Sequence, residues 1–213
     1  MTDGLSWGWS ALFLLGAWHG VNPGMGWLFA VALGMQEKSA RAVVRSLAPI
    51  ALGHALAIGV VVLLARLIQL VLPLQYVKIA VAGALLALGL YKIVRSRHFR
   101  WGGMQVGFSE LTIWSFLMAS AHGAGLMVLP VVLGIPSVRA AGEHHMHVSS
   151  SLDPLTGVYA TLVHTAGYLL VTAAVALLVY QKFGLALLRK AWLNLDLVWA
   201  VALIATGCVA LVV

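Results

Sequence analysis

Six predominantly apolar stretches, at about 7–35, 43–66, 72–94, 109–135, 155–180 and 191–213, decide what this chain can fold into. A helix covers a hydrocarbon layer of roughly 30 Å with about 20 apolar residues, so each stretch is long enough to span a bilayer. Hydrophobic residues make up 62% of the chain and charged residues 9%, whereas a soluble domain is about a quarter charged. The expectation is an all-α polytopic membrane protein of six transmembrane helices. It forms a single membrane domain over 1–213, with no soluble domain.

The 13 Lys+Arg against 6 Asp+Glu are too sparse to build a basic face for nucleic acid, and topology accounts for them better. Lys38, Arg41 and Arg45 fall between the first two stretches, Lys92, Arg95, Arg97 and Arg100 between the third and fourth, and Lys182, Arg189 and Lys190 between the fifth and sixth. That puts 10 of the 13 basic residues on one side, which the positive-inside rule assigns to the cytoplasm. Both termini are then outside, in a multi-pass protein of the plasma (inner) membrane whose first partner is the lipid bilayer. The segment Met1–Ser10 carries Asp3 and no Lys or Arg, so it lacks the basic start of a cleaved signal peptide. Cys208 is the single cysteine, which excludes an intramolecular disulfide, a CxxC redox pair and a thiolate zinc cluster.

The two halves of the chain resemble one another. The first stretch contains His19-Gly20-Val21-Asn22-Pro23-Gly24-Met25 and the fourth His122-Gly123-Ala124-Gly125-Leu126-Met127. The second contains Gly53-His54-Ala55 and the fifth Val163-His164-Thr165. Repeat 1 (about 7–94) and repeat 2 (about 109–213) thus each read as a His-Gly helix, a His helix and a plain helix. Three spans per half make the repeats inverted, a 3+3 plan common among secondary transporters. His19, His54, His122 and His164 lie about 12, 11, 13 and 9 residues into their stretches, all near the bilayer centre.

Proline removes a backbone donor and glycine loosens a helix, so the first and fourth helices are expected to be interrupted, with carbonyls freed around Pro23 and Gly24. Paired interrupted helices are the sequence pointer to a transporter's substrate site. The expected metal-binding set is His19, His54, His122 and His164. Asn22, Pro23, Gly24, Met25, Gly123, Met127 and Asp196 are expected along the substrate path. Each has a plainer reading. In that reading an intramembrane histidine serves only to join two helices, a proline only to kink one, and methionine only to fill space. Lys78 and Asp196 read as interfacial anchors or as proton-coupling groups. The outer loop at about 136–154 holds Glu143-His144-His145-Met146-His147, in which His144, His145 and His147 read as a metal-capture cluster or as solvated polar chain.

The run from His19 to Met25 resembles the His-Gly-x-x-Pro-Gly-His signature of nickel/cobalt efflux proteins, the NicO-type branch of the LysE transporter superfamily. Gly53-His54-Ala55 resembles that group's second-helix histidine. The resemblance implies a plasma-membrane cation transporter of six helices with His19 at the metal-binding position. Met25 stands where the family pattern has its second histidine, and the His-x4-Asp-His run of nickel permeases is absent. A softer ion such as Cu(I) would suit thioether beside imidazole.

Three functions compete at this stage. The first is secondary transport of a transition-metal cation (Ni, Co, Zn or Cu), bound by neutral imidazoles and coupled to a gradient, with protons a natural partner ion. The cation is then cargo, with no tightly bound cofactor. The second is a b-type haem protein with bis-His ligation. The third is export of amino acids or small organic solutes. No Ser/His/Asp set, carboxylate pair, HExxH or GxxxxGK[ST] is present, so an enzyme is not expected. A homo-oligomer is compatible with the sequence but not specified by it.

Overall fold

The computed structural model describes residues 2–94, 107–135, 153–183 and 195–212. Among the described residues there is no strand. The helices are α1 (Thr2–Val21), α2 (Trp27–Gln36), α3 (Ala40–Gln69), α4 (Leu74–Val94), α5 (Phe108–Ala121), α6 (Ala124–Gly134), α7 (Pro154–Leu178) and α8 (Leu195–Val212). A 3-10 turn, Pro23–Met25, joins α1 to α2, and α7 runs on into a π turn, Val179–Phe183.

Helices α3, α4 and α7 with its π turn are long and apolar enough to cross a membrane. Helices α5 and α6 meet the same test as a pair, bent by 65° where they join. The boundaries follow local chemistry. Ser39 caps α3 by accepting from the Arg41 amide at 3.2 Å, and Pro73 separates the end of α3 from the start of α4. With 30 residues α3 is about 45 Å long, more than a hydrocarbon layer of roughly 30 Å, and its first turns bear exposed Arg41 and Arg45. Arg45 pairs with Glu37 at 2.9 Å in the open, where such a pair contributes little stability.

Both expected interruptions occur, by different means. Asn22 precedes a proline and is held extended, ending α1. Its side-chain oxygen accepts from the Gly24 amide at 2.9 Å, and Gly26 closes the turn at φ +134°, a conformation open to glycine alone. In the fourth stretch no proline is involved: His122 caps α5 and Gly123 turns the chain at φ +70° in the left-handed region.

The carbonyls around the first interruption differ from the expectation that they are freed. The Val21 carbonyl accepts from the Trp27 indole at 2.9 Å, the Asn22 carbonyl from the Met25 amide at 2.9 Å, and the Met25 carbonyl from the Tyr168 hydroxyl. A break in an apolar helix must satisfy its polar backbone from its own side chains and neighbours, and these three carbonyls are satisfied in that way.

Helix α1 packs along α7, α3 along α5, and α4 along α8, while α3 also crosses α7 in the middle of the molecule. Contacts at two of these crossings are backbone to backbone. A methyl group at Gly16 would overlap the His164 carbonyl, one at Gly167 the Phe13 carbonyl, and one at Gly53 the Thr112 carbonyl. Small residues of this kind hold membrane helices together through close van der Waals contact, since lipid is as apolar as the helices themselves. The α3–α5 crossing adds a buried hydrogen bond from Ser115 Oγ to the Ile50 carbonyl at 2.7 Å. Ser115→Ala is expected to lower stability by about 0.6 kcal/mol and by no more than about 1.7, the range measured for single interhelical bonds in membranes. Denaturant unfolding in mixed micelles reads this, and a neutral result would show that the crossing rests on packing alone.

Candidate metal centre

Helices α1, α3 and α7 converge, and each brings one histidine to the meeting point. His19 lies two residues before the end of α1, His54 midway along α3, and His164 midway along α7. All three side chains are fully buried, at 0% exposure. Their ring centroids are 5.7 Å apart for His19–His54, 5.0 Å for His19–His164 and 5.5 Å for His54–His164. Three imidazoles bound tetrahedrally at about 2.0–2.1 Å, with ring centres roughly 1.2 Å behind the ligating nitrogens, have centroids about 5.3 Å apart. The spacing of the cluster therefore matches that of a trihistidine site.

The orientation does not yet match. Among the described residues no group of three or more His, Cys, Asp or Glu side chains is set to hold a metal ion. The His54 and His164 rings are stacked with 8° between their planes, and an imidazole's lone pair lies in the ring plane. In-plane lone pairs of two parallel, separated rings do not meet at one point. Ligation requires at least one of these rings to turn about its side-chain bonds.

The hydrogen-bond state of the cluster leaves it chemically unfinished. His19 Nδ1 donates to the Leu15 carbonyl at 2.7 Å; a carbonyl only accepts, so in the neutral ring Nε2 carries the lone pair. This is the outer support that orients a metal-ligating histidine and fixes its tautomer. His19 Nε2, both nitrogens of His54 and both of His164 are buried without a hydrogen-bond partner. Five unpartnered ring nitrogens in one spot are costly in an apolar interior, and a cation, a proton or water would relieve them.

His122 has the same local device, with Nδ1 donating to the Met118 carbonyl at 2.8 Å, and sits at 7% exposure. Trp199 of α8 touches both sides, its ring 4.8 Å from His19 and 5.7 Å from His122, and His122 is near enough to His19 to act on it electrostatically. The four histidines expected at one depth thus divide into three whose rings meet one another and a fourth that shares the Trp199 indole with His19. His122 lies instead against the first interruption, close to Gly24. Asn22 is buried there with its Nδ2 unpartnered, and Pro23 and Gly24 form the turn itself.

Met25 is buried beside Tyr168, Gly123 makes the second turn, and Met127 is buried on α6. Lys78, on α4, is half-buried and has a partner. The Asp196 side chain and the loop histidines His144, His145 and His147 fall outside the described residues.

Two side chains that wall the cluster were not singled out from the sequence. The Tyr168 ring stacks on His54 at 3.8 Å, 12° from parallel, and its hydroxyl donates to the Met25 carbonyl. It thereby ties a cluster histidine to the first interruption. Its position one helical turn after His164 was the available signal, since residues four apart share a helix face. Trp199 gave none, being remote in sequence from every cluster histidine. Comparison of the chain with protein-family models, curated proteins and solved structures finds no match.

Proposed function

We propose that the chain is a secondary transporter that moves a transition-metal cation across the plasma membrane through the His19–His54–His164 cluster. The observation that carries the reading is the convergence of three fully buried imidazoles, from three helices, at ligation spacing and with five unpartnered nitrogens. Imidazole is a preferred ligand of Ni, Co, Zn and Cu, and ionisable groups inside membranes mark ion paths. Rings that must turn before they ligate suit a transient cargo better than a permanently held ion. The resemblance to NicO-type transporters points the same way.

The six-span, inverted-repeat plan belongs to this proposal, with α1–α2 and α5–α6 as the two interrupted spans. A two-fold relation between the halves exchanges α1–α2 with α5–α6, α3 with α7, and α4 with α8. It therefore pairs the α1–α7 contact with the α3–α5 contact and makes the α4–α8 contact self-equivalent, and these are the three main helix contacts. The shared Nδ1-to-carbonyl bond of His19 and His122 supports the same relation. In this reading the basic loops face the cytoplasm and both termini lie outside.

The geometry disfavours bis-His haem ligation by this cluster. Axial imidazoles point their edges at iron from opposite sides, whereas His54 and His164 lie face to face.

The test is cation uptake into proteoliposomes, with Ni²⁺, Co²⁺, Zn²⁺ and Cu⁺ each offered to the purified chain and to His19→Ala. Flux of one ion that the substitution removes supports the proposal, and no flux of any ion into vesicles holding folded protein overturns it. Tyr168→Phe keeps the stack on His54 and loses the bond to the Met25 carbonyl. It is expected to leave cation affinity within about threefold while slowing transport about tenfold, the scale of one lost buried hydrogen bond. Equal loss in Tyr168→Phe and Tyr168→Ala would assign the whole effect to the hydroxyl, and unchanged transport in Tyr168→Phe would assign it to the ring.

A further inference from the structure

A second feature lies at the opposite end of α3 from its basic turns. Between the C-terminal end of α3 and the N-terminal end of α7 runs a groove of about 270 Å³. Its mouth carries two opposite charges, Arg66 on α3 and Asp153 just before α7. Below them the walls are apolar, with Val62 and Gly59 one and two turns back along α3 and Gly157 and Leu162 along α7. The strip runs about 10 Å inward from the charged mouth. A methyl group built at Gly59 would meet nothing within 4 Å, so the groove is open there, and one at Gly157 would touch only Val62.

The charges at the mouth do not neutralise each other. Asp153 Oδ2 is buried with no hydrogen-bond partner, and among the described residues no ion pair joins it to Arg66. Nor does the Asp153 side chain cap α7. A buried carboxylate oxygen requires a donor, and a guanidinium at a membrane boundary requires an oxyanion. A ligand that answers all three features has an N–H cation, a phosphate and a hydrocarbon chain in that arrangement. A bare metal cation does not fit, because Arg66 repels it and no imidazole or thiolate lines the groove.

We infer that this groove is a headgroup-specific site for a phospholipid bearing a primary ammonium, of the phosphatidylethanolamine type. The ammonium donates to Asp153 Oδ2, the phosphate accepts from Arg66, and one acyl chain lies along the strip past Gly157 and Gly59. A choline headgroup has no N–H to donate, and a glycerol headgroup brings no positive charge to the aspartate. The inference stands apart from the transport reading and does not require it.

The full chain, purified in mild detergent and exposed to equal amounts of ethanolamine, choline and glycerol phospholipids with the same acyl chains, is analysed by native mass spectrometry. The expected result is one ethanolamine lipid retained per chain, preferred about fivefold over either competitor, the scale of one well-placed polar contact. Asp153→Asn, which preserves helix-start chemistry, is expected to abolish the preference over choline. Arg66→Gln is expected to weaken retention of all three lipids. Gly59→Leu, which fills the strip without touching a charge, is expected to remove the bound lipid altogether. Equal retention of ethanolamine and choline lipids overturns the inference, as does a preference that survives Asp153→Asn or a lipid that stays in Gly59→Leu. Circular dichroism checks that each variant is folded, and the Gly59 variant decides the matter if Asp153→Asn is not.

Discussion

His164→Ala is expected to reduce cation flux at least about 100-fold, with His54→Ala and His19→Ala matching it. Loss of an outer-shell partner alone costs a metal site about 10–100-fold, and these rings are the proposed ligands themselves. Removing a buried imidazole also removes unpartnered nitrogens, which offsets much of the cavity left behind, so stability is expected to change little while transport is lost. This separates a site residue from a packing residue, for which both would fall together. His122→Ala provides the contrast. Its ring packs on Trp199, which also touches His19, and its removal is expected to leave cation affinity within a few-fold even where transport slows. Parallel measurement of equilibrium cation binding and uptake in the four variants distinguishes these outcomes. Equal loss of affinity in all four would mean that His122 ligates directly, and undiminished flux in His164→Ala would remove the cluster from the transport path.

Gly16→Val is expected to prevent stable assembly of the core. Even a methyl group at this position would overlap the His164 carbonyl, a backbone atom with no rotamer to escape into. Helices α1 and α7 would have to separate, and the reciprocal contact of Gly167 with the Phe13 backbone would be lost with it. Overpacking of this kind, with no side chain able to yield, belongs among the large destabilisations, of about 4 kcal/mol or more. Gly83→Val is the control, because a methyl group there meets nothing within 4 Å. Monodispersity and thermal aggregation in detergent read both variants. A monodisperse Gly16→Val protein with unchanged melting would mean that the α1–α7 contact does not hold the fold together.

Much of this architecture is legible in the residues, for reasons that differ by element. Apolar length alone predicts α3, α4 and α7, and the observed limits Ala40–Gln69, Leu74–Val94 and Pro154–Leu178 stay within a few residues of the stretches at 43–66, 72–94 and 155–180. Asn22-Pro23-Gly24 and His122-Gly123 announce the interruptions because a missing donor and a left-handed glycine have consequences within a single turn.

Depth counting brings His19, His54 and His164 to one level. It cannot tell which way a helix is rotated, and rotation decides that the rings of His19, His54 and His164 meet one another while that of His122 meets Trp199. Nor does local sequence foretell that Trp27 and Tyr168 occupy carbonyls that the break at Pro23 would otherwise expose. Trp27 reaches back six residues across the turn, and Tyr168 comes by tertiary packing from 143 residues away.

The position of Trp199 has a further consequence. Under the proposed two-fold relation His54 and His164 are counterparts, and so are His19 and His122, yet His19 is in ring contact with both central histidines while His122 packs on the indole. Helix α4, the counterpart of α8, carries no tryptophan, so the indole itself breaks the equivalence of the halves. If the proposed transport cycle lets the halves trade shapes, His122 closes on His54 and His164 while His19 withdraws from them. The cation would then be passed from one broken helix to the other across two histidines that stay in place, and the side of the membrane it faces would be set by which of the outer pair is in contact.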